Sequence, residues 1–389
     1  MNGNGCHLDC LDDTSWREIV GRLLDSEPVE ILDRRSQELL TGAGVGSRVF
    51  RVTGTAATTA KRPVDWALIV KLLSLEALSF QSAGADPSSW DYWKREWCVY
   101  RSAWQQKLPG PLVAPRCLGT GDIAATEGNQ ELAWIAMEDI ATETHSAWPQ
   151  EHFREVGRHL GVFNGPYLCG QPIPSEPWLS RDWLRGWTEL SEPLMSQLSV
   201  AAAHPVAGRI FTPEINKDLS WLWDQRKKLY STLDHLPQTL CHNDIFPRNV
   251  FLRGATCSQS VAIDWSYCGV APIGQELSAL VGATLAFRES RPNRWDDLER
   301  DCVSGYTDGL REAGWSRGDE SFTGYLLSLV LRFAAASPAV LFSLTMTTEH
   351  LGLITRLFGC SHDEFVDHAV AVMSFLQRRI HQTKALLGL

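Results

Sequence analysis

The chain has 389 residues, 44% of them hydrophobic and 21% charged, an ordinary globular composition with length for one large domain or two lobes. Its formal net charge of -10, from 36 Lys and Arg against 46 Asp and Glu, argues against a sequence-independent grip on nucleic acid and sits more easily with neutral or cationic small substrates. The ten cysteines include no CxxC pair, and Cys6 and Cys10 lie in a polar N-terminal stretch without a matching His or Cys cluster; reduced thiols, no structural zinc there and a cytoplasmic location are expected.

A first helix is predicted around Thr14 to Leu24. From Ser36 to Leu73, Gly and Thr punctuation alternates with β-branched runs such as Arg48 to Val52, which predicts a twisted antiparallel sheet with Thr53 to Arg62 as a small-residue loop between strands. Trp93, Trp97, Tyr100 and Trp104 recur at helical spacing, so one amphipathic helix is predicted over Trp90 to Leu108, ended by Pro109-Gly110-Pro111. Strand-like runs follow at Arg116 to Gly119 and Leu132 to Met137, and the acidic turn Glu138-Asp139 is the expected hinge. Helical periodicity dominates from Pro149 onward, broken by a β-like region at Val250 to Leu252 and Val261 to Ile263. The apolar stretch Leu326 to Met346 carries Arg332 and Pro338 inside it, so a buried helix pair is expected rather than a membrane span.

The chemistry concentrates in Cys241-His242-Asn243-Asp244-Ile245-Phe246-Pro247-Arg248-Asn249-Val250-Phe251, followed closely by Val261-Ala262-Ile263-Asp264-Trp265. Phosphoryl transfer needs a carboxylate to orient the attacking hydroxyl and hard oxygen ligands for the magnesium that neutralises the transferring phosphate. Asp244 suits the first task, Asn249 and Asp264 the second. Alone, Asp and Asn in loops usually make Asx turns. A second group upstream, in the order a kinase fold demands, tips the reading: Gly42, Gly44, Gly46 and Ser47 in a loop between strands, Lys71 on a later strand and Glu96 in the following helix. No GxxxxGK[ST] P-loop and no dinucleotide GxGxxG is present, so the phosphate loop is expected to be a glycine hairpin.

The HxDxxxxN segment with its following Asp resembles the catalytic loop of the aminoglycoside phosphotransferase and choline kinase family, with His242, Asp244, Asn249 and Asp264 in matching places. Asn243 stands where that family usually has Gly, and Trp265-Ser266 replaces a more typical aromatic-acidic pair; Asn tolerates the left-handed backbone best after Gly. The resemblance implies an α+β, bilobal protein-kinase-like fold: a small N-terminal antiparallel-sheet lobe over 1–137 that binds nucleotide, and a larger, mainly helical lobe over 138–389 that carries catalysis and the substrate pocket. It implies ATP or GTP with Mg2+ as cofactors, Lys71 on the α- and β-phosphates held by Glu96, and an adenine edge bound by the backbone around Met137, Glu138 and Ile140. His242 is expected to bond backbone near the metal-binding segment rather than move protons, and Glu276 to brace the catalytic loop.

Trp178, Trp183, Trp187, Trp221 and Trp223, with Glu189 and Glu192 nearby in sequence, would suit an amine-bearing or sugar-like acceptor, although tryptophans are as often plain core. The expected activity is transfer of a phosphoryl group to a hydroxyl of a small molecule, an antibiotic or amino alcohol among the options. No nucleic-acid or membrane partner is expected, and monomer and homodimer stay open. The alternative is a nucleotide-binding scaffold that has lost catalysis; a protein kinase is disfavoured because no APE-like segment or long activation loop follows Asp264.

Overall fold

The computed structural model describes residues 8, 11–26, 29–39, 47–58, 62–75, 84–102, 104–124, 131–140, 148–254, 257–317, 319–336, 341, 344–345 and 351–388. They fall into two compact units: Met1–Pro87, Tyr92–Lys107 and Ala114–Thr144 in the first, Ser88–Asp91, Leu108–Val113 and His145–Leu389 in the second.

The first unit opens with helix α1 (Asp13–Leu23), whose N-terminus is capped by the Asp12 carboxylate accepting from the Ser15 amide at 2.8 Å. Strands β1 (Glu30–Leu39), β2 (Ser47–Ala57) and β3 (Pro63–Ser74) follow, then helix α2 (Arg95–Ser102). After the two-residue β4 (Leu112–Val113), which belongs to the second unit, come β5 (Cys117–Ile123) and β6 (Leu132–Glu138). The five strands of the first unit form one antiparallel sheet in the order β1-β2-β3-β6-β5. Alternation along β3 decides what each face carries. Trp66, Leu68, Val70 and Leu72 join the core built with Trp16, Ile19 and Val20 of α1, and Lys71 takes the opposite face.

Two expectations for this unit need correction. Thr53 to Ala57 are not loop; they continue β2 in register with both β1 and β3. Their small side chains fit the indole of Trp66, since a Cβ on Gly54 would stand 2.7 Å from that ring and 2.3 Å from the Asp33 carbonyl oxygen. The tryptophan-rich segment is not one helix from Trp90 to Leu108. Only Arg95–Ser102 is α-helical, with a 3-10 turn at Trp104–Lys107, while Trp90 belongs to the second unit and packs edge-on against Trp187 of that same unit at 6.4 Å.

The second unit is mainly helical: α3 (Gln150–Leu168), α4 (Trp183–Glu189), α5 (Glu192–Met195), α6 (Leu198–Ala203), α7 (Pro213–Asp234), α8 (Gln275–Ala286), α9 (Trp295–Glu312), α10 (Asp319–Leu329), α11 (Leu351–Phe358) and α12 (His362–Leu386). Its short strands are β7 (Gln238–Cys241), β8 (Val250–Arg253), β9 (Gln259–Ala262) and β10 (Gly269–Pro272). β8 pairs antiparallel with β9, β9 pairs parallel with β4, and β7 pairs antiparallel with β10. The expected helix pair over Leu326 to Met346 takes another form in its first half: α10 runs into a π-helical turn, Val330–Ala336, and residues 337–340 lie outside the described residues. Among the described residues no helix is long and apolar enough to cross a membrane.

Helices α3 and α9 pack backbone to backbone. A methyl group on Gly161 would stand 2.2 Å from the Tyr306 carbonyl oxygen and 2.7 Å from the Leu310 amide nitrogen, and neither can move without displacing its helix. Gly161→Ala should therefore destabilise the protein by on the order of 1–3 kcal/mol through overpacking. Helix propensity alone would give the opposite sign, a gain of about 1 kcal/mol. Urea unfolding followed by tryptophan fluorescence decides between them, and a variant as stable as the parent would refute the packing account.

Candidate active site

In the second unit β7 ends at Cys241, and the chain turns sharply through His242 and Asn243 before Asp244. Asn243 has φ 68, in the left-handed region that a non-glycine residue enters only with support. The support is complete. The Asn243 side chain donates to the Tyr267 carbonyl (2.9 Å) and accepts from the Gln275 amide (2.8 Å). The amides of His242 and Asn243 donate to the two carboxylate oxygens of Glu276, at 2.5 and 3.0 Å. Glu276 sits in the first turn of α8, fully buried, and burial pushes its carboxyl from the ordinary 4.5 up to about 7 against the opposing pull of those two amides.

His242 is buried and bonded on both ring nitrogens. Its Nδ1 accepts from the Asp244 amide at 3.2 Å, so Nε2 carries the hydrogen and donates to the Ile263 carbonyl at 2.9 Å. The Ile263 amide in turn donates to the Asn249 carbonyl at 2.9 Å. These bonds tie the loop after β7 to the segment after β9, and with it Asp264, which adopts φ 63 and receives a hydrogen bond from the Ser266 hydroxyl.

Asp244 and Asn249 are in direct contact: the Asn249 Nδ2 donates to the Asp244 Oδ2 at 2.8 Å and to the Asp244 carbonyl at 3.0 Å. The other carboxylate oxygen, Oδ1, accepts from Arg332 Nη2 at 2.6 Å. Burial pushes the Asp244 carboxyl up; the Arg332 guanidinium opposes this, and the charge of Asp264 adds to it. Two carboxylates and a carboxamide thus gather in one electrostatic neighbourhood, a set of hard oxygen donors suited to a small divalent cation. Among the described residues no group of three or more His, Cys, Asp or Glu forms a metal site, so an ion here would rely on the carboxamide oxygen as well.

In the first unit Lys71 and Glu96 form a buried ion pair at 2.5 Å, with side chains 9% and 2% exposed. Period-two alternation in β3 delivers the lysine, and the first turn of α2 delivers the glutamate, where the helix dipole favours its charge. Ser47 is the first residue of β2; Gly42, Gly44 and Gly46 lie outside the described residues. Met137 is buried in β6, Glu138 ends that strand and exchanges hydrogen bonds with the Arg116 backbone, and Ile140 is half-buried just beyond.

Arg332 was not among the site residues expected from sequence. Its signal was an arginine inside an apolar run, since such a side chain, when buried, needs an anionic partner. The expected aromatic and acidic wall also divides. Glu189 pairs with Arg226 at 2.9 Å, Arg226 lies over Trp223, and Lys384 lies over Trp221. Trp183 and Trp187 instead stack at 6.0 Å beside Tyr267, with Arg332 over Trp183 at 4.5 Å.

The model of the APH phosphotransferase enzyme family matches residues 44–319. No curated protein shows a sequence match. Among solved structures the chain is similar to amicoumacin kinase hAmiN in complex with AMP-PNP, Ca2+ and Ami, at 13% identity over 90% of this chain and 88% of that one, TM-score 0.52. It is also similar to spectinomycin phosphotransferase APH(9)-Ia in complex with ADP and spectinomycin, at 15% identity over 93% and 98%, TM-score 0.50. At these identities the likeness carries the fold, which is the protein-kinase-like one, α+β with an antiparallel sheet in one unit and mainly helices in the other.

The buried Glu276 makes stability depend on pH with a definite sign. Its carboxyl holds a proton in the folded chain up to about pH 7 and in the unfolded chain only up to about 4.5, so the folded state is favoured at low pH and loses that advantage as pH rises through this window. Unfolding free energies measured from pH 4 to 8 should fall for the parent relative to Glu276→Gln by up to about 3 kcal/mol. A difference that does not change with pH would rule the effect out.

Proposed function

The chain belongs to the phosphotransferase enzyme family, and we propose that it is a small-molecule O-kinase that transfers the γ-phosphoryl group of ATP, or of GTP, to a hydroxyl of its acceptor with Mg2+. The observation that supports this most is the gathering of Asp244, Asn249 and Asp264 through the Asn249–Ile263 and Asp244–Asn249 hydrogen bonds. The buried Lys71–Glu96 pair supports it from an independent segment.

In this reading residues 1–137 bind the nucleotide and 138–389 carry catalysis. Lys71, kept extended by Glu96, neutralises the α- and β-phosphates, with Gly42, Gly44, Gly46 and Ser47 as the phosphate loop and Met137, Glu138 and Ile140 at the adenine edge. Asp264 and the Asn249 Oδ1 would hold the cation; the Asn249 Nδ2 is occupied by Asp244, which leaves the oxygen for a metal. A Mg2+ ion held there would supply charge neutralisation to the phosphates. Asp244 orients the acceptor hydroxyl and takes its proton as the new O–P bond forms; the bond from the γ-phosphorus to the bridging oxygen breaks, and the nucleoside diphosphate departs. His242 and Glu276 touch no reactant and hold the loop in shape.

The acceptor in this reading is a hydroxyl-bearing small molecule. The names of the similar kinases, amicoumacin and spectinomycin, put antibiotics first among those to test.

The test is release of ADP or GDP by the purified protein with Mg2+ and a panel of aminoglycosides, other antibiotics and amino alcohols. Asp244→Asn should fold and bind nucleotide yet lose about 100- to 10,000-fold in turnover. Full activity in that variant would remove Asp244 from its role. Asp264→Ala should act differently: the Mg2+ concentration giving half-maximal rate should rise by at least about tenfold, on the scale of losing a metal-site interaction. An unchanged Mg2+ requirement would take Asp264 out of the metal site.

A further inference from the structure

Arg332 lies 88 residues beyond Asp244 in sequence, yet it grips the turn that carries Asp244 at two points. Nη1 donates to the Asn243 carbonyl at 2.5 Å, and Nη2 donates to the Asp244 Oδ1 at 2.6 Å. The guanidinium also has two aromatic neighbours: its carbon lies 4.5 Å from the Trp183 ring centre and 5.1 Å from that of Phe333, and its side chain is 8% exposed. Its mount is unusual. Arg332 sits in the π-helical turn Val330–Ala336, and a side chain from another segment holds the end of that turn: Ser191 Oγ donates to Ala336 O at 2.7 Å. π-helical turns are rare and are found frequently at functional sites.

We propose that Arg332 is a positioning residue for phosphoryl transfer, fixing the plane of the Asp244 carboxylate so that its unbonded lone pairs face the acceptor hydroxyl. The inference rests on the reading of Asp244 given above. The two carboxylate oxygens are held by different elements, Oδ1 by Arg332 and Oδ2 by Asn249, so the group cannot rotate about its Cβ–Cγ bond without breaking one of them. An ionised carboxylate offers about four lone-pair directions, which leaves room for a hydroxyl after both bonds are made. A lysine would supply the charge without the fork, because only a guanidinium reaches a carbonyl and a carboxylate at once in a fixed plane. The same guanidinium face rests on Trp183, which stacks on Trp187, so the aim of Asp244 is set by the aromatic group that flanks it.

The experiment compares the parent with Arg332→Lys and Arg332→Ala in Mg·ATP-dependent ADP release, with the best acceptor from the panel and with water alone. Both variants should lose roughly 10- to 100-fold in kcat, the scale on which a misdirected catalytic group lowers rate, while KM for ATP changes less than about twofold, since Arg332 is assigned no part in nucleotide binding. Guanidinium ion at tens of millimolar should restore at least about fivefold of the Arg332→Ala loss, where ammonium at equal ionic strength restores none, because only guanidinium can refill the fork. If Arg332→Ala fails to fold, the kcat and KM of Arg332→Lys decide alone. Parental kcat in Arg332→Lys, or a loss confined to KM, overturns the proposal. An inactive parent on every acceptor and on water overturns the proposed function itself, and with it this inference.

Discussion

The turn at His242–Asn243 depends on one buried carboxylate. A left-handed residue at the end of a strand points two successive amides into the interior, where water cannot satisfy them, and each unsatisfied amide would cost about 1–3 kcal/mol. Glu276 accepts both, from the first turn of a helix that begins immediately after the β7–β10 ribbon. With that acceptor in place the turn can be tight, the Asn243 side chain can bridge Tyr267 and Gln275, and Asp244 emerges in a single direction. The Asn249 and Arg332 bonds to its carboxylate presuppose that direction.

Each unit also buries an ion pair, Lys71 with Glu96 and Arg332 with Asp244. Burying two charges removes their hydration, and the attraction regained only roughly offsets this, so such pairs add little net stability. They define position instead. A buried lysine paired with a glutamate has its ammonium group confined near that carboxylate, and a carboxylate held at both oxygens has one plane. Where the chemistry depends on the placement of charge, that definition is the more useful property.

The tryptophans divide by neighbourhood. Trp16 and Trp66 serve as core of the sheet unit, and Trp221 and Trp223 lie under the side chains of Lys384 and Arg226. Trp183 and Trp187 form the stack that touches the Asp244 loop, through Arg332 and Tyr267. The carboxylate of Glu189 is neutralised by Arg226, so aromatic faces rather than that free negative charge border the loop.

Much of this was legible in the residues themselves, because it depends on local spacing. The apolar run before Lys71 placed that lysine on a strand, and the spacing of His242, Asp244 and Asn249, with Asp264 at a strand end, marked the loop where oxygen donors meet. The order of these segments along the chain was enough to suggest the family and fold. Other features were decided by tertiary contacts. Helical spacing of aromatics around Trp90 could not reveal that Trp90 is drawn out of the helix by Trp187, nor small residues after Thr53 that they lie in a strand to admit the ring of Trp66. Strands as short as β4, β7 and β10 carry too few residues to show a period. The partner of Asp244 was the least visible, since Arg332 reaches it from 88 residues away out of a π turn, and only three-dimensional packing sets the aim of a side chain on such a turn.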